Sequence, residues 1–160
     1  MSIDYTHGWD DFAVSFPAPG LNERDAERHS ITVGGKFWWD RRKRNVSVSY
    51  TYRENNAEGV NFDYESHGVN ARLESHLLGP IWGAVDIGYQ ENDYRGFIST
   101  FIPPPGRNEM EIFNVGAQLI WVINRQWSVD VFYQFIENTS NQPQFESDSH
   151  NVGGGITFKF

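Results

Sequence analysis

Alternation of apolar and polar residues with a period of two is the feature that most constrains this chain. At the C-terminus, residues 152–160 place an apolar residue or glycine at every second position, and mostly polar residues or glycine between them. The same pattern recurs in residues 127–135 and 46–52. Because successive side chains of a β-strand point to opposite faces, each segment predicts a strand with one apolar and one polar face.

We predict eight such strands in a single domain that spans residues 1–160. They cover approximately residues 2–16, 28–39, 45–56, 66–78, 81–94, 109–123, 126–138 and 148–160. The connections after the second, fourth and sixth strands are tight, whereas those after the odd strands are longer and polar. The fourth segment also fits helical spacing through Val69, Leu73 and Leu77, but its neighbours favour a strand. Short turns at one end and long loops at the other are typical of an antiparallel meander.

Composition excludes several other classes of protein. The formal net charge of -8 argues against nucleic acid as a partner, since binding would need a basic face. The absence of Cys excludes disulfide frameworks and thiolate metal sites, and an aromatic content of 16% argues against disorder. No signal segment opens the chain, so we expect any export signal to have been removed or to lie outside it.

The apolar row faces either a buried core or lipid, and the aromatic residues favour lipid. Five of the six Trp lie at the tight-turn end, whereas most Tyr lie toward the long-loop end. A bilayer sorts aromatic rings into two interfacial belts, which a water-soluble core has no reason to do. The predicted interface aromatics are Trp39, Trp121, Trp127, Tyr50, Tyr52, Tyr89, Tyr133 and Phe135.

The opposite row carries charged and amide side chains, which we expect to line the interior of a barrel. They are Lys36, Arg53, Arg72, Glu74, Asp86, Gln118, Asp130, Gln134 and Lys159. Isolated charges in a dry core are costly, whereas in a barrel they pair with each other and with water. A register that keeps the polar residues of both strands on one face across residues 79–80 allows Arg72 to lie directly opposite Asp86. The alternative is a water-soluble sheet whose solvent-exposed face carries these charges.

The predicted fold is therefore an all-β, antiparallel transmembrane β-barrel of eight up-and-down strands. Its last strand has apolar residues at alternating positions and an aromatic residue at its C-terminal end: Val152, Ile156, Phe158 and Phe160. This pattern resembles the assembly signal of bacterial outer-membrane barrels. The closing hairpin, residues 127–160, resembles barrels found in exopolysaccharide-export and surface-assembly loci. This resemblance implies the bacterial outer membrane, a porin-like or export conduit for a polysaccharide or small solute, and outer-membrane lipids and the barrel-assembly machinery as partners.

Two alternatives remain open for the barrel. When the hairpins are aligned, the first strand lacks the part that residues 46–48 supply in the third strand and residues 127–129 supply in the seventh. The chain is either the C-terminal eight strands of a larger barrel or a small closed barrel. A closed barrel of eight strands has a filled interior, which favours a structural or surface-binding role through the loops. We predict no catalytic residues, cofactor or metal, because neighbouring Ser and His point to opposite faces and His7 and His76 have no partner at metal-ligand spacing.

Overall fold

The computed structural model describes residues 1–10, 26–57, 63–95 and 108–159 of the chain. These residues form eight β-strands: β1 (Ser2–Asp10), β2 (Ala26–Trp39), β3 (Arg44–Ala57), β4 (Tyr64–Leu78), β5 (Ile81–Tyr94), β6 (Asn108–Val122), β7 (Trp127–Ser140) and β8 (Ser147–Phe158). The predicted strand ends agree within two residues where they are described. The predicted continuation of the first strand and Phe160 lie outside the described residues.

The strands form one sheet in the order β1 to β8, and every neighbouring pair is antiparallel. The predicted all-β, up-and-down meander is confirmed, including a strand at the ambiguous fourth segment. The sheet is open, with β1 and β8 as its two edges over the described ranges. The one helical segment of the described chain is a single 3-10 turn at Pro143–Phe145, and no described helix has the length and apolar composition needed to span a bilayer.

The three tight turns lie where the sequence predicts them, and each has a local cause. Asp40, Arg41 and Arg42 adopt φ of 49°, 52° and 67° between β2 and β3, and Gly79 has φ of 52° between β4 and β5. Such left-handed conformations match the twist of short hairpins. Before β7, the side-chain oxygen of Asn124 accepts hydrogen bonds from two backbone N–H groups of the turn. These turns set the register of the even-to-odd hairpins, together with an irregularity between His76 and Leu78 that shifts the pairing of β4 with β5 by one residue.

Pairing assigns every strand residue to one of two faces, which we call the polar face and the apolar face. The polar face carries Arg72 and Asp86, whose side chains are 31% and 22% exposed. The apolar face carries Val85 and Val131, which are 52% and 55% exposed although their side chains are shorter than arginine. The sheet therefore curls toward its polar face.

Burial confirms the direction of this curl. All the buried residues of the described chain lie on the polar face: Ala26, Ala84, Gly88, Gly116, Asn45, Asn55, Ser66, Asn92 and Ser140. Most of them are polar, so the described residues contain no conventional hydrophobic core. Apolar side chains instead project from the convex side of the sheet, opposite to their position in a water-soluble sandwich.

Candidate functional site: the charged network of the polar face

A single row of paired residues crosses the polar face from β2 to β8. Its members follow one another across the sheet in the order Lys36, Ser47, Arg72, Asp86, Gly116, Gln134 and Asn151. The predicted register that sets Arg72 opposite Asp86 is confirmed. This row places side chains of opposite charge at the same level of the sheet.

Arg72 is the hub of the site, because its guanidinium contacts three neighbours at once. Its Nε donates to Glu74 Oε1 at 3.0 Å, and its Nη1 lies 3.4 Å from Asp86 Oδ1. Its Nη2 donates to Gln118 Oε1 at 2.7 Å, which requires the side chain to reach across β5 to β6. The fixed fork of a guanidinium suits such divergent acceptors.

Contacts continue from this hub to both sides. Glu74 Oε2 accepts from Lys36 Nζ at 3.1 Å and from Asn45 Nδ2 at 2.8 Å. On the other side, Gln118 Nε2 donates to Asp130 Oδ2 at 3.3 Å. We call this set the charged network; it comprises Lys36, Asn45, Arg72, Glu74, Asp86, Gln118 and Asp130. It links β2 to β7 and carries three carboxylates against two cations.

The other predicted polar-face residues lie outside the charged network. Arg53 lies toward the long-loop end, in a cleft that it shares with Thr6, Arg28 and Ser30. Gln134 lines a second cleft beside the hub, next to Arg72 and Asp86. Lys159 follows β8 and is exposed. Eight of the nine predicted residues thus belong to the same face by register, and six of them join one set of contacts.

Glycine makes room for the acidic side of the network, a role that the sequence analysis missed. A Cβ on Gly116 would lie 2.5 Å from Asp86 Oδ2, so only glycine lets this carboxylate lie against β6. Gly153 plays the same part for the ring of Phe132, at 2.6 Å from Cζ. Gly154 and Gly155 also lie close to β7, with Cβ positions 2.8 Å from the carbonyl oxygen of Asp130 and 3.1 Å from its Oδ1.

We expect Gly116→Ala to destabilise the folded chain by about 1–3 kcal/mol, because the new methyl group must displace Asp86 or spread two strands. Gly35→Ala is the matched control, since a Cβ there meets nothing within 4 Å. Urea unfolding of both variants in detergent micelles measures the difference. Equal unfolding midpoints for the two would show that the close approach at Gly116 has no energetic weight.

The eight predicted interface aromatics all lie on the apolar face, in two rows. The tight-turn row comprises Trp39, Trp121 and Trp127, and the loop-end row comprises Tyr50, Tyr52, Tyr89, Tyr133 and Phe135. The space between the rows carries exposed aliphatic side chains, namely Val48, Val85, Ile87, Leu119 and Val131. The apolar face is thus banded along the strand direction.

The residues of the predicted assembly signal occupy the edge strand β8. Val152 and Ile156 are 80% and 72% exposed on its apolar face, and Phe158 packs against Trp127 with ring centroids 4.6 Å apart. Phe160 lies outside the described residues. The apolar alternation of the last strand therefore points away from the charged network, on the same side as the aliphatic band.

A further contact, which was not predicted, repeats in three of the four hairpins that are joined by a long loop. In the hairpins β1–β2, β3–β4 and β7–β8, a Tyr hydroxyl forms a hydrogen bond with a His on the next strand: Tyr5 with His29, Tyr50 with His67 and Tyr133 with His150. In each case the His lies two residues before the residue that pairs with the Tyr. The signal for it is an acidic residue, any residue and then His at the start of β2, β4 and β8. The same local arrangement therefore recurs in these three hairpins.

Likeness to known proteins assigns no role to these features. Comparison with protein families, curated proteins and solved structures finds no match to this chain. The resemblance of the closing hairpin to exopolysaccharide-export barrels therefore stays a prediction. The chemistry of the faces is the basis for a function: one face holds paired charges that water can reach, and the other offers hydrocarbon between aromatic rows.

Proposed function

We propose that the chain forms the wall of a bacterial outer-membrane β-barrel, with its apolar face toward lipid and its polar face toward an aqueous interior. The observation that carries this proposal is the sidedness of the curled sheet. Its buried residues lie on the polar face, and its exposed aliphatic side chains form a band between two aromatic rows. In water such a surface would drive aggregation, whereas contact with lipid removes it from water.

The height of the aliphatic band between the two aromatic rows supports a bilayer as the surroundings of the apolar face. Ile81, which pairs with Trp121 of the tight-turn row, lies eight residues before Tyr89 of the loop-end row. At about 3.3 Å per residue this separation is about 26 Å along the strand, or about 20 Å along the membrane normal at a tilt of about 40°. The aromatic rings add to this height at both ends. The total therefore approaches the height of about 25 Å that the apolar band of outer-membrane barrels has.

The role we propose for the polar face is to line a porin-like or export conduit for a hydrophilic solute. Paired charges at one height in the interior of a barrel act on a passing solute through their electric field and through their hydrogen-bonding groups. The open edges β1 and β8 support a barrel in which these edges are paired, because unpaired backbone groups in lipid are costly. A polysaccharide is the solute that the resemblance of the closing hairpin suggests.

A second candidate is a closed barrel with a filled interior and a structural or surface-binding role. It is favoured by the contacts that already cover the polar face, from Lys36 in β2 to Asp130 in β7, and by the ring of Phe132 over Gly153. Eight strands closed on themselves leave an interior just wide enough for such side chains. The two candidates differ in whether ions pass.

We expect the refolded protein to produce stepwise conductance in planar bilayers if it forms a conduit. The charged network has one carboxylate more than its cations, so Asp130→Asn should lower the permeability of K⁺ relative to Cl⁻ and shift the reversal potential. Asp148→Asn, on the exposed apolar face of β8, is the control and should leave it unchanged. A folded sample without conductance steps would reject the conduit and leave the filled barrel.

A further inference from the structure

Three potential metal ligands meet on the apolar face at the long-loop end of the first hairpin. His7 pairs directly with His29 across β1 and β2, and Glu27 precedes His29 by two residues, so all three side chains share one face. A nitrogen of each imidazole and an oxygen of Glu27 lie within 4.8 Å of one another. In the described ranges, no other group of three His or carboxylate side chains meets this spacing.

The distances suit a common ion bound between the three side chains. Glu27 Oε1 lies 3.1 Å from His7 Nε2 and 3.3 Å from His29 Nε2. Ligand atoms about 2.0–2.1 Å from a tetrahedral zinc ion are about 3.3–3.4 Å apart, so two of the three edges already have this length. The two imidazoles are parallel, with centroids 4.8 Å apart, and the Nε2 atoms of both rings lie beside the same carboxylate oxygen.

A second contact orients one of the rings for this role. The hydroxyl of Tyr5 lies 3.0 Å from Nδ1 of His29, on the side of the ring away from Glu27. Metal-bound histidines commonly have their other nitrogen held by such a partner, which fixes the tautomer and the ring orientation. Tyr5 therefore leaves Nε2 of His29 available as the ligand atom.

The other hairpins supply an internal comparison. The position of His7, directly opposite the His of each Tyr–His contact, is occupied by Tyr52 opposite His67 and by Phe135 opposite His150. In those hairpins the His packs against an aromatic ring, with centroids 5.2 and 5.0 Å apart. The Tyr–His contact is thus common to the fold, and the second imidazole is what distinguishes the first hairpin.

We propose that His7, Glu27 and His29 bind one divalent transition-metal ion, with a fourth coordination position open to water or an external ligand. Two imidazoles and a carboxylate are a ligand set that zinc and related ions accept. The three side chains are 36%, 37% and 33% exposed, so an ion reaches them from solvent without local unfolding. The site lies on the apolar face and does not depend on whether the polar face conducts.

Isothermal titration calorimetry with Zn²⁺ on the full chain, folded in detergent micelles, tests the site. We expect one ion per chain. His7→Phe, which copies the ring at Phe135, and Glu27→Gln should each weaken binding at least about a hundredfold, because they remove a ligand and not merely a supporting partner. Tyr5→Phe should weaken it about tenfold.

His150→Ala is the matched control, because it removes a Tyr–His contact that has no second imidazole. It should bind Zn²⁺ as the unmodified chain does. Far-UV circular dichroism verifies that each variant retains its strands, and Glu27→Gln is nearly isosteric, so a loss of binding there is not a loss of fold. The proposal is overturned if the unmodified chain binds no Zn²⁺ saturably, if Glu27→Gln binds equally well, or if His150→Ala loses binding to the same extent.

Discussion

Val85→Arg is expected to prevent most of the protein from inserting into lipid vesicles. Val85 lies on the apolar face, four residues from Ile81 and four from Tyr89, and therefore midway between the two aromatic rows. An arginine facing lipid at the middle of the bilayer costs about 2–4 kcal/mol in transmembrane barrels. The fraction of protein that resists protease and migrates as a folded species after reconstitution measures this loss.

Gln134→Arg is the control on the polar face. Gln134 lies on the polar face in the row that contains Asp86, so a new cation there meets water and a carboxylate. Insertion should remain near that of the unmodified chain. The sign of the effect at Val85 is diagnostic, because in a sheet whose apolar face meets water the same arginine would be neutral or would improve solubility. Equal insertion of both variants would therefore contradict the proposed orientation.

Arg72→Met is expected to reduce the free energy of unfolding by about 1–3 kcal/mol. The substitution keeps an unbranched chain but leaves Glu74 and Asp86 with less compensating charge and removes the donor to Gln118. The side chains are about one-third exposed, so solvent screening places the cost below that of a fully buried ion pair. Urea unfolding in detergent micelles measures it.

Arg53→Met is the control for this prediction, because Arg53 lies on the same face but outside the charged network. It should change stability much less. Combining Arg72→Met with Asp86→Asn should cost less than the sum of the two single effects, since each variant removes the same contact. Strict additivity in this double-mutant cycle would mean that the contact between Arg72 and Asp86 contributes no coupling energy.

Several features of the fold were predictable because they depend on local properties of the chain. Strand positions follow from alternation, and the register between β4 and β5 follows from keeping the polar residues of both strands on one face across Gly79 and Pro80. The opposition of Arg72 and Asp86 was predictable for the same reason. The role of Gly116 was not, because it depends on how closely the side chain of a neighbouring strand approaches the backbone of β6.

The sequence by itself determined which side chains of one strand share a face and which strands are neighbours across the three short turns, since a period of two and a short turn are sufficient for these features. Only the tertiary structure decided that the polar face is the concave one, because alternation is the same whichever way a sheet curls. The curl brings together residues from strands that are not adjacent, as in the contacts of Arg72 with Gln118 and of Lys36 with Glu74. The pairing of His7 with His29 was likewise decided only in the folded sheet, since the long connection between β1 and β2 leaves their register unspecified in the sequence.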